Sequence, residues 1–161
     1  MNPATGPRAA RGAWVRAAVV LAVVLAADQI LKALVTDSLQ RGEQRDLLAF
    51  AKLVNTRNTG VAFGQLQNGG VIVGVVIAIA LTVLLVFFAR NARRPLVWLP
   101  TGMLLGGALG NITDRIREGA VIDFLKLPHW PAFNLADASI TIGVVILFVV
   151  IERGNRAADR A

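Results

Sequence analysis

Apolar residues concentrate in four runs, at 14–35, 71–89, 96–112 and 136–151, and polar residues collect between them. The second run is the cleanest: nineteen residues without a charge, closed by Arg90. A helix rises about 1.5 Å per residue against a hydrocarbon layer about 30 Å thick, so roughly 20 such residues make one crossing. The first run is interrupted by Asp28 and Lys32. The third and fourth are short and must borrow flanking residues. The pattern predicts an all-α membrane protein with four transmembrane helices. Between the first two, "TRNTGVAF" sets Arg57, Asn58 and Gly60 in a turn between short strands. Between the last two, "GAVIDFLKLPHWP" reads as an extended segment returning toward the membrane, its turn stiffened by Pro128 and Pro131.

Charge orients this arrangement. Four spans put both termini on one side, with Arg8, Arg11, Arg16, Arg90, Arg93, Arg94, Arg153, Arg156 and Arg160 against only Glu152 and Asp159. The opposite loops balance Arg41, Arg45, Lys52, Arg57, Arg115, Arg117 and Lys126 with as many acids. The net charge of +7 thus lies on one face, which the positive-inside rule makes cytoplasmic. The opening "RAAVVLAVVLAADQ" also has the basic lead and apolar core of a cleavable signal peptide. However, the apolar pattern resumes in "ILKALV", and removing this span would spoil the charge asymmetry.

Composition narrows the chemistry. Over half of the 161 residues are hydrophobic and mean hydropathy is +0.61, too apolar for a soluble domain of this size. The basic balance is explained by topology, so nucleic acid is not the expected partner. There is no cysteine, one histidine (His129) and two serines, Ser38 and Ser139. Thiolate chemistry and a multi-histidine metal site are excluded, and a serine triad has little to draw on. One domain is expected over 1–161, with 1–12 and 154–161 as mobile cytoplasmic ends.

Several polar residues in or beside the spans need a reason. Asp28 and Lys32 lie four apart on one helical face. They are either a buried pair that sets helix packing or a polar support reaching toward the outer loops. Gly102, Gly106 and Gly110 form a small-residue stripe that lets helices approach closely. It continues to Asp114, beside Gly107, Asn111 and Arg115. These polar groups are either an ordinary helix end with an Asp–Arg pair or part of a site. Asp123 stands among apolar neighbours, where desolvation raises a carboxyl pKa. Asn134 and Asp137, three apart, read as a capping box or as part of a site. The helix dipole there favours an ionised Asp137. Asp123 as the protonated partner and Asp137 as the ionised one would suit aspartic-peptidase chemistry. Arg57 and Asn58 are either loop residues or holders of an extended peptide. His129 reads as a solvated loop residue.

"DQILK", "RNTGVAF", "GGALGNITDR", "VIDF" and "FNLADASI", in this order over residues 14 to 151, resemble the bacterial lipoprotein (type II) signal peptidases, which are membrane aspartic proteases. The resemblance implies four transmembrane helices, a small periplasmic β-cradle, and a periplasmic helix or flap between spans one and two. It implies removal of signal peptides from diacylglyceryl-modified prolipoproteins, cut just before the lipid-bearing cysteine. It assigns Asp123 and Asp137 as the catalytic dyad. Asp28, Lys32, Asn58, Asn111, Asp114, Arg115 and Asn134 would line the site, and Arg57 and Gly60 lie within the same motifs. No metal or cofactor is implied. The enzyme would sit as a monomer in the inner membrane, its site facing outward, open to globomycin-like cyclic peptide inhibitors.

Three other functions compete. A small transporter or proton channel would relay through Asp28, Asp114 and Asp137, and predicts polar residues deep in several spans. A metal-dependent lipid transferase would cluster Asp114, Asp123 and Asp137 around a divalent ion. An assembly factor would use the glycine stripe and leave the acids dispensable.

Overall fold

The computed structural model describes residues 7–59 and 69–158, with side-chain environments for 9–59 and 74–156. Its elements run α1 (Pro7–Ser38), β1 (Gln44–Leu48), β2 (Ala51–Asn58), α2 (Gly69–Asn91), α3 (Trp98–Glu118), β3 (Val121–Lys126) and α4 (Leu135–Ala158). Each apolar run falls on one helix, except that Leu96 and Val97 of the third precede α3. Helix α1 begins before the first run and α4 continues past Arg153 to Ala158, so helix extends beyond the apolar limits at both ends.

Three helical segments are long and apolar enough to cross a membrane among the described residues: Ala9–Ser38, Gly74–Asn91 and Leu135–Arg156. Helix α3 is not one of them. Its glycines and the charged turn at Asp114–Glu118 dilute its hydropathy. It occupies the middle of the bundle, touching α1, α4 and α2.

Close approach to α3 explains its glycines. A Cβ at Gly102 would lie 2.6 Å from the Ala17 carbonyl oxygen of α1, and one at Gly106 would lie 2.8 Å from that of Leu21. Gly107 faces the other way, where a Cβ would meet the Ala136 oxygen of α4 at 2.5 Å. Helix α3 ends at Gly119, whose φ of 71° places it in the left-handed region that closes helices. Helix α2 rests on α3, and near its C-terminus Phe88 meets Trp14 of α1 edge-on, ring centroids 4.6 Å apart.

The strands form one antiparallel sheet in the order β1–β2–β3, so the fold combines a helical bundle with a small sheet. On β2 a bulge between Leu53 and Thr56 inserts one residue against β3. Leu53 pairs with Leu125, but Thr56 rather than Asn55 pairs with Asp123. Val54 and Asn55 are consequently both buried. After β3 the chain turns through His129 and returns. Phe133 then exchanges backbone hydrogen bonds with Leu125 at 2.9 Å, bringing Asn134 beside β3. Between α1 and α2 the described residues hold β1 and β2, which belong to the sheet and are not the expected helix or flap; residues 60–68, including Gly60, lie outside the described residues.

Candidate functional site

Five elements contribute polar side chains to one network, buried at its base and reaching the surface at Asn58. At its base, Lys32 of α1 places Nζ 2.7 Å from Asp28 Oδ2 and 2.7 Å from Asp114 Oδ2 of α3. All three groups are buried. Removing two unlike charges from water is costly unless every remaining polar atom finds a partner. Here each does. Asp28 Oδ1 accepts the Ala136 N–H at 2.9 Å, and Asp114 Oδ2 accepts the Ile122 N–H at 3.0 Å. Gln29 Nε2 donates to Asp114 Oδ1 at 3.0 Å and to the Gly110 oxygen at 3.3 Å. Gly110 leaves the space for the Asp28 carboxylate, since a Cβ there would lie 2.6 Å from Asp28 Oδ2.

Lys32 also donates to Asn111 Oδ1 at 3.2 Å. An ammonium group can only donate, so it holds the amide with its oxygen inward and its nitrogen outward. Asn111 Nδ2 then donates to Asp137 Oδ1 at 2.8 Å. Asn134 is the second connector. Its Nδ2 donates to Asp123 Oδ1 at 2.9 Å, to Asn111 Oδ1 at 3.1 Å and to the Ile122 oxygen at 3.2 Å. Its Oδ1 accepts the Asp137 N–H at 2.8 Å, while its own N–H donates to Asp137 Oδ2 at 3.3 Å. That exchange is a capping box. The capping reading and the site reading of Asp137 are therefore compatible.

Asp123 is buried on β3, and Asn58 Nδ2 of β2 donates to its Oδ2 at 3.1 Å. Burial pushes the Asp123 carboxyl up to about 6 from its ordinary 3.8. The Asn58 amide opposes the rise, the nearby Asp137 charge adds to it, and Asn134 and Lys32 oppose it more weakly. Asp137, at the start of α4, is half-buried.

The structure thus brings together Asp28, Lys32, Asn58, Asn111, Asp114, Asp123, Asn134 and Asp137. Arg57 and Arg115 are engaged elsewhere. Arg57 is held by Asn55 Oδ1 at 2.6 Å and Glu118 Oε2 at 3.6 Å. Arg115 donates to the Asn111 carbonyl of its own helix at 3.2 Å and lines a cleft between α2 and α3. Gln29 and Asn55 were not singled out by the sequence. Gln29 could have been, as a third polar residue within the interrupted first span. Asn55 carries no such signal, because only the bulge buries it. Among the described residues no three histidine, cysteine or acidic side chains converge as a metal site would require; Asp114 is occupied by Lys32, Gln29 and Ile122.

The family profile of signal peptidase (SPase) II matches residues 20–152, which include every described member of this network. The chain belongs to the signal peptidase II family. It is 43% identical over 127 residues to the lipoprotein signal peptidase of Moorella thermoacetica, covering 78% of this chain and 85% of that one. It is 34% identical over 142 residues to that of Halothermothrix orenii, covering 88% and 98%. A solved structure described as a bacterial membrane enzyme superposes with a TM-score of 0.79 at 28% identity, over 84% of this chain and 91% of the other. As a member of a signal peptidase family the chain is a peptide-bond hydrolase, and its three apolar helices make it a membrane protein.

Proposed function

We propose that this peptidase is an aspartic endopeptidase that removes signal peptides from diacylglyceryl-modified prolipoproteins, cutting just before the lipid-bearing cysteine. The observation that carries the reading is the single buried side chain, Asn134, that donates to Asp123 and receives the N–H of Asp137. Two carboxyl groups in one network, one raised toward neutrality by burial, can divide acid and base work. Asp137 takes a proton from water as its oxygen attacks the scissile carbonyl carbon, while Asp123 gives its proton to the carbonyl oxygen. As the resulting diol collapses, Asp123 recovers a hydroxyl proton, the C–N bond breaks, and the proton on Asp137 passes to the departing amine. The products are the signal-peptide carboxylate and a free amine on the lipid-bearing cysteine. No metal or cofactor takes part.

Supporting roles follow from position. Lys32, with Asp28 and Asp114, holds Asn111 in the orientation that presents its amide to Asp137. Asn58 steadies Asp123. Arg57 and Arg115, beside this network, and Gly60, in the same sequence motif as Asn58, serve substrate binding. In this reading α3 is a fourth crossing, shielded from lipid by its neighbours. The arginine-rich end faces the cytoplasm and the aspartates the outer surface of the inner membrane. The diacylglyceryl chains can then stay in the bilayer while water reaches the dyad. The enzyme acts as a monomer, and globomycin-like cyclic peptides occupy the same site.

The test is conversion of a diacylglyceryl prolipoprotein to its shorter form in detergent with excess chelator, comparing wild type with Asp123→Asn and Asp137→Asn. Cutting by wild type and none by either folded variant supports the dyad. Normal cutting by both variants removes the mechanism, and loss of wild-type activity to chelator alone points to a metal instead.

A further inference from the structure

At the opposite end of the bundle, a groove of about 590 Å³ lies between the α2–α3 connection and the last turns of α4. Pro95, Leu96, Val149 and Val150 give it apolar walls, and Arg94 and Arg153 stand at its margin. Arg94 reaches α4 next to Arg153: a Cβ at Gly154 would lie 3.8 Å from Arg94 Nη1. Among the described residues neither makes an ion pair or a side-chain hydrogen bond. The nearby acid, Glu152, is taken by Arg156 at 2.9 Å. Two like charges brought to one groove without a carboxylate between them favour an anion there.

We propose that this groove binds one anionic phospholipid, the phosphate held by Arg94 and Arg153 and the upper acyl chain lying on Leu96, Val149 and Val150. Two features select a lipid over a soluble phosphate. Arg153 lies sixteen residues beyond Asp137 on α4, roughly 24 Å along the axis, so the groove sits about one hydrocarbon thickness from the other end of the span. Its walls are also apolar, which a free phosphate would not need. A guanidinium fork matches phosphate oxygens, and basic pockets at helix ends hold anionic headgroups in this way.

Native mass spectrometry of the full chain, stripped of lipid in detergent and titrated with phosphatidylglycerol or phosphatidylcholine, tests it. One phosphatidylglycerol is retained preferentially. Arg94→Gln with Arg153→Gln weakens that binding roughly 25-fold, at about fivefold per arginine. Arg90→Gln with Arg93→Gln, outside the groove, leaves it unchanged. If the double groove variant fails to fold, Arg153→Gln alone reads the fivefold change. Equal retention of the two lipids, equal loss in the Arg90/Arg93 variant, or saturation by glycerol phosphate without acyl chains would each overturn the proposal.

Discussion

Ala136 donates its backbone N–H to Asp28 Oδ1 at 2.9 Å across 108 positions of sequence. The carboxylate that pairs with Lys32 therefore also caps the helix that opens at Leu135. Asp28→Ala leaves Lys32 with Asp114 as its one carboxylate partner, beside Asn111, and an N–H at the start of α4 without its acceptor. Asp114 still compensates Lys32, so the main loss is the buried N–H left without an acceptor, which costs about 1–3 kcal/mol. Asp28→Asn keeps an acceptor for Ala136 but turns its NH2 toward Lys32, so it should retain the cap, lose the ion pair and cost less than Asp28→Ala. Thermal unfolding of both variants in detergent should rank Asp28→Ala below Asp28→Asn, and equal midpoints would show that the cap contributes nothing.

Asn111 stands between a cation and a carboxylate, and its orientation is set by the cation. Asn111→Asp replaces the donor facing Asp137 with a like charge. Activity should fall by about a hundredfold or more, because small misplacements of reacting groups have effects of that size. Folding should be affected less, since Lys32 accepts a carboxylate as readily as an amide oxygen. Turnover and melting temperature, measured on the same preparation, separate the two.

Asp123 makes the pH dependence predictable in sign. Its folded value, about 6, lies above the ordinary 3.8, so the native state binds the proton more tightly in that window. Its contribution to stability is complete below pH 3.8 and is lost as pH rises through about 6. If Asp123 must carry its proton to act, kcat/KM of the free enzyme declines above about pH 6. Asn58 donates to the ionised form, so Asn58→Ala should move that decline to higher pH. Asp137→Asn removes a neighbouring negative charge, so a carbon NMR titration should find Asp123 at a lower pKa than in wild type.

The glycine contacts predict a graded series. Gly107→Ala sets a methyl group 2.5 Å from the Ala136 oxygen, against backbone that cannot rotate away. Overpacking of this kind costs about 1–3 kcal/mol. It should also shift the start of α4, where Asn134 and Asp137 sit, and so reduce activity beyond the loss of stability. Gly102→Ala meets α1 far from the carboxylates and should lower the melting point with a smaller effect on turnover. Gly74→Ala meets no atom within 4 Å and should leave both unchanged or slightly improved.

Much of this protein was legible along the chain. The apolar runs became helices because transfer out of water depends on the composition of each segment, whatever it packs against. The Asn134–Asp137 cap was readable because its partners are three residues apart. The stripe at Gly102, Gly106 and Gly110 was readable for the same reason, although its partners were not. Tertiary structure decided the rest, because hydrogen-bond direction depends on segments distant in sequence. Without the bulge in β2, Asp123 would face Asn55, and Asn58 would lie on the other side of the strand. No periodicity announces that extra residue. Arg57 read equally as a loop residue or as a holder of extended peptide, and its contacts with Asn55 and Glu118 depend on the strand register and on α3, which no local pattern shows. Helix α3 appeared as one more apolar run, yet its central position is set by glycines that admit the backbones of α1 and α4 at once. Local sequence determined which residues were polar enough to form a site; the approach of α3 to its neighbours determined which of them meet.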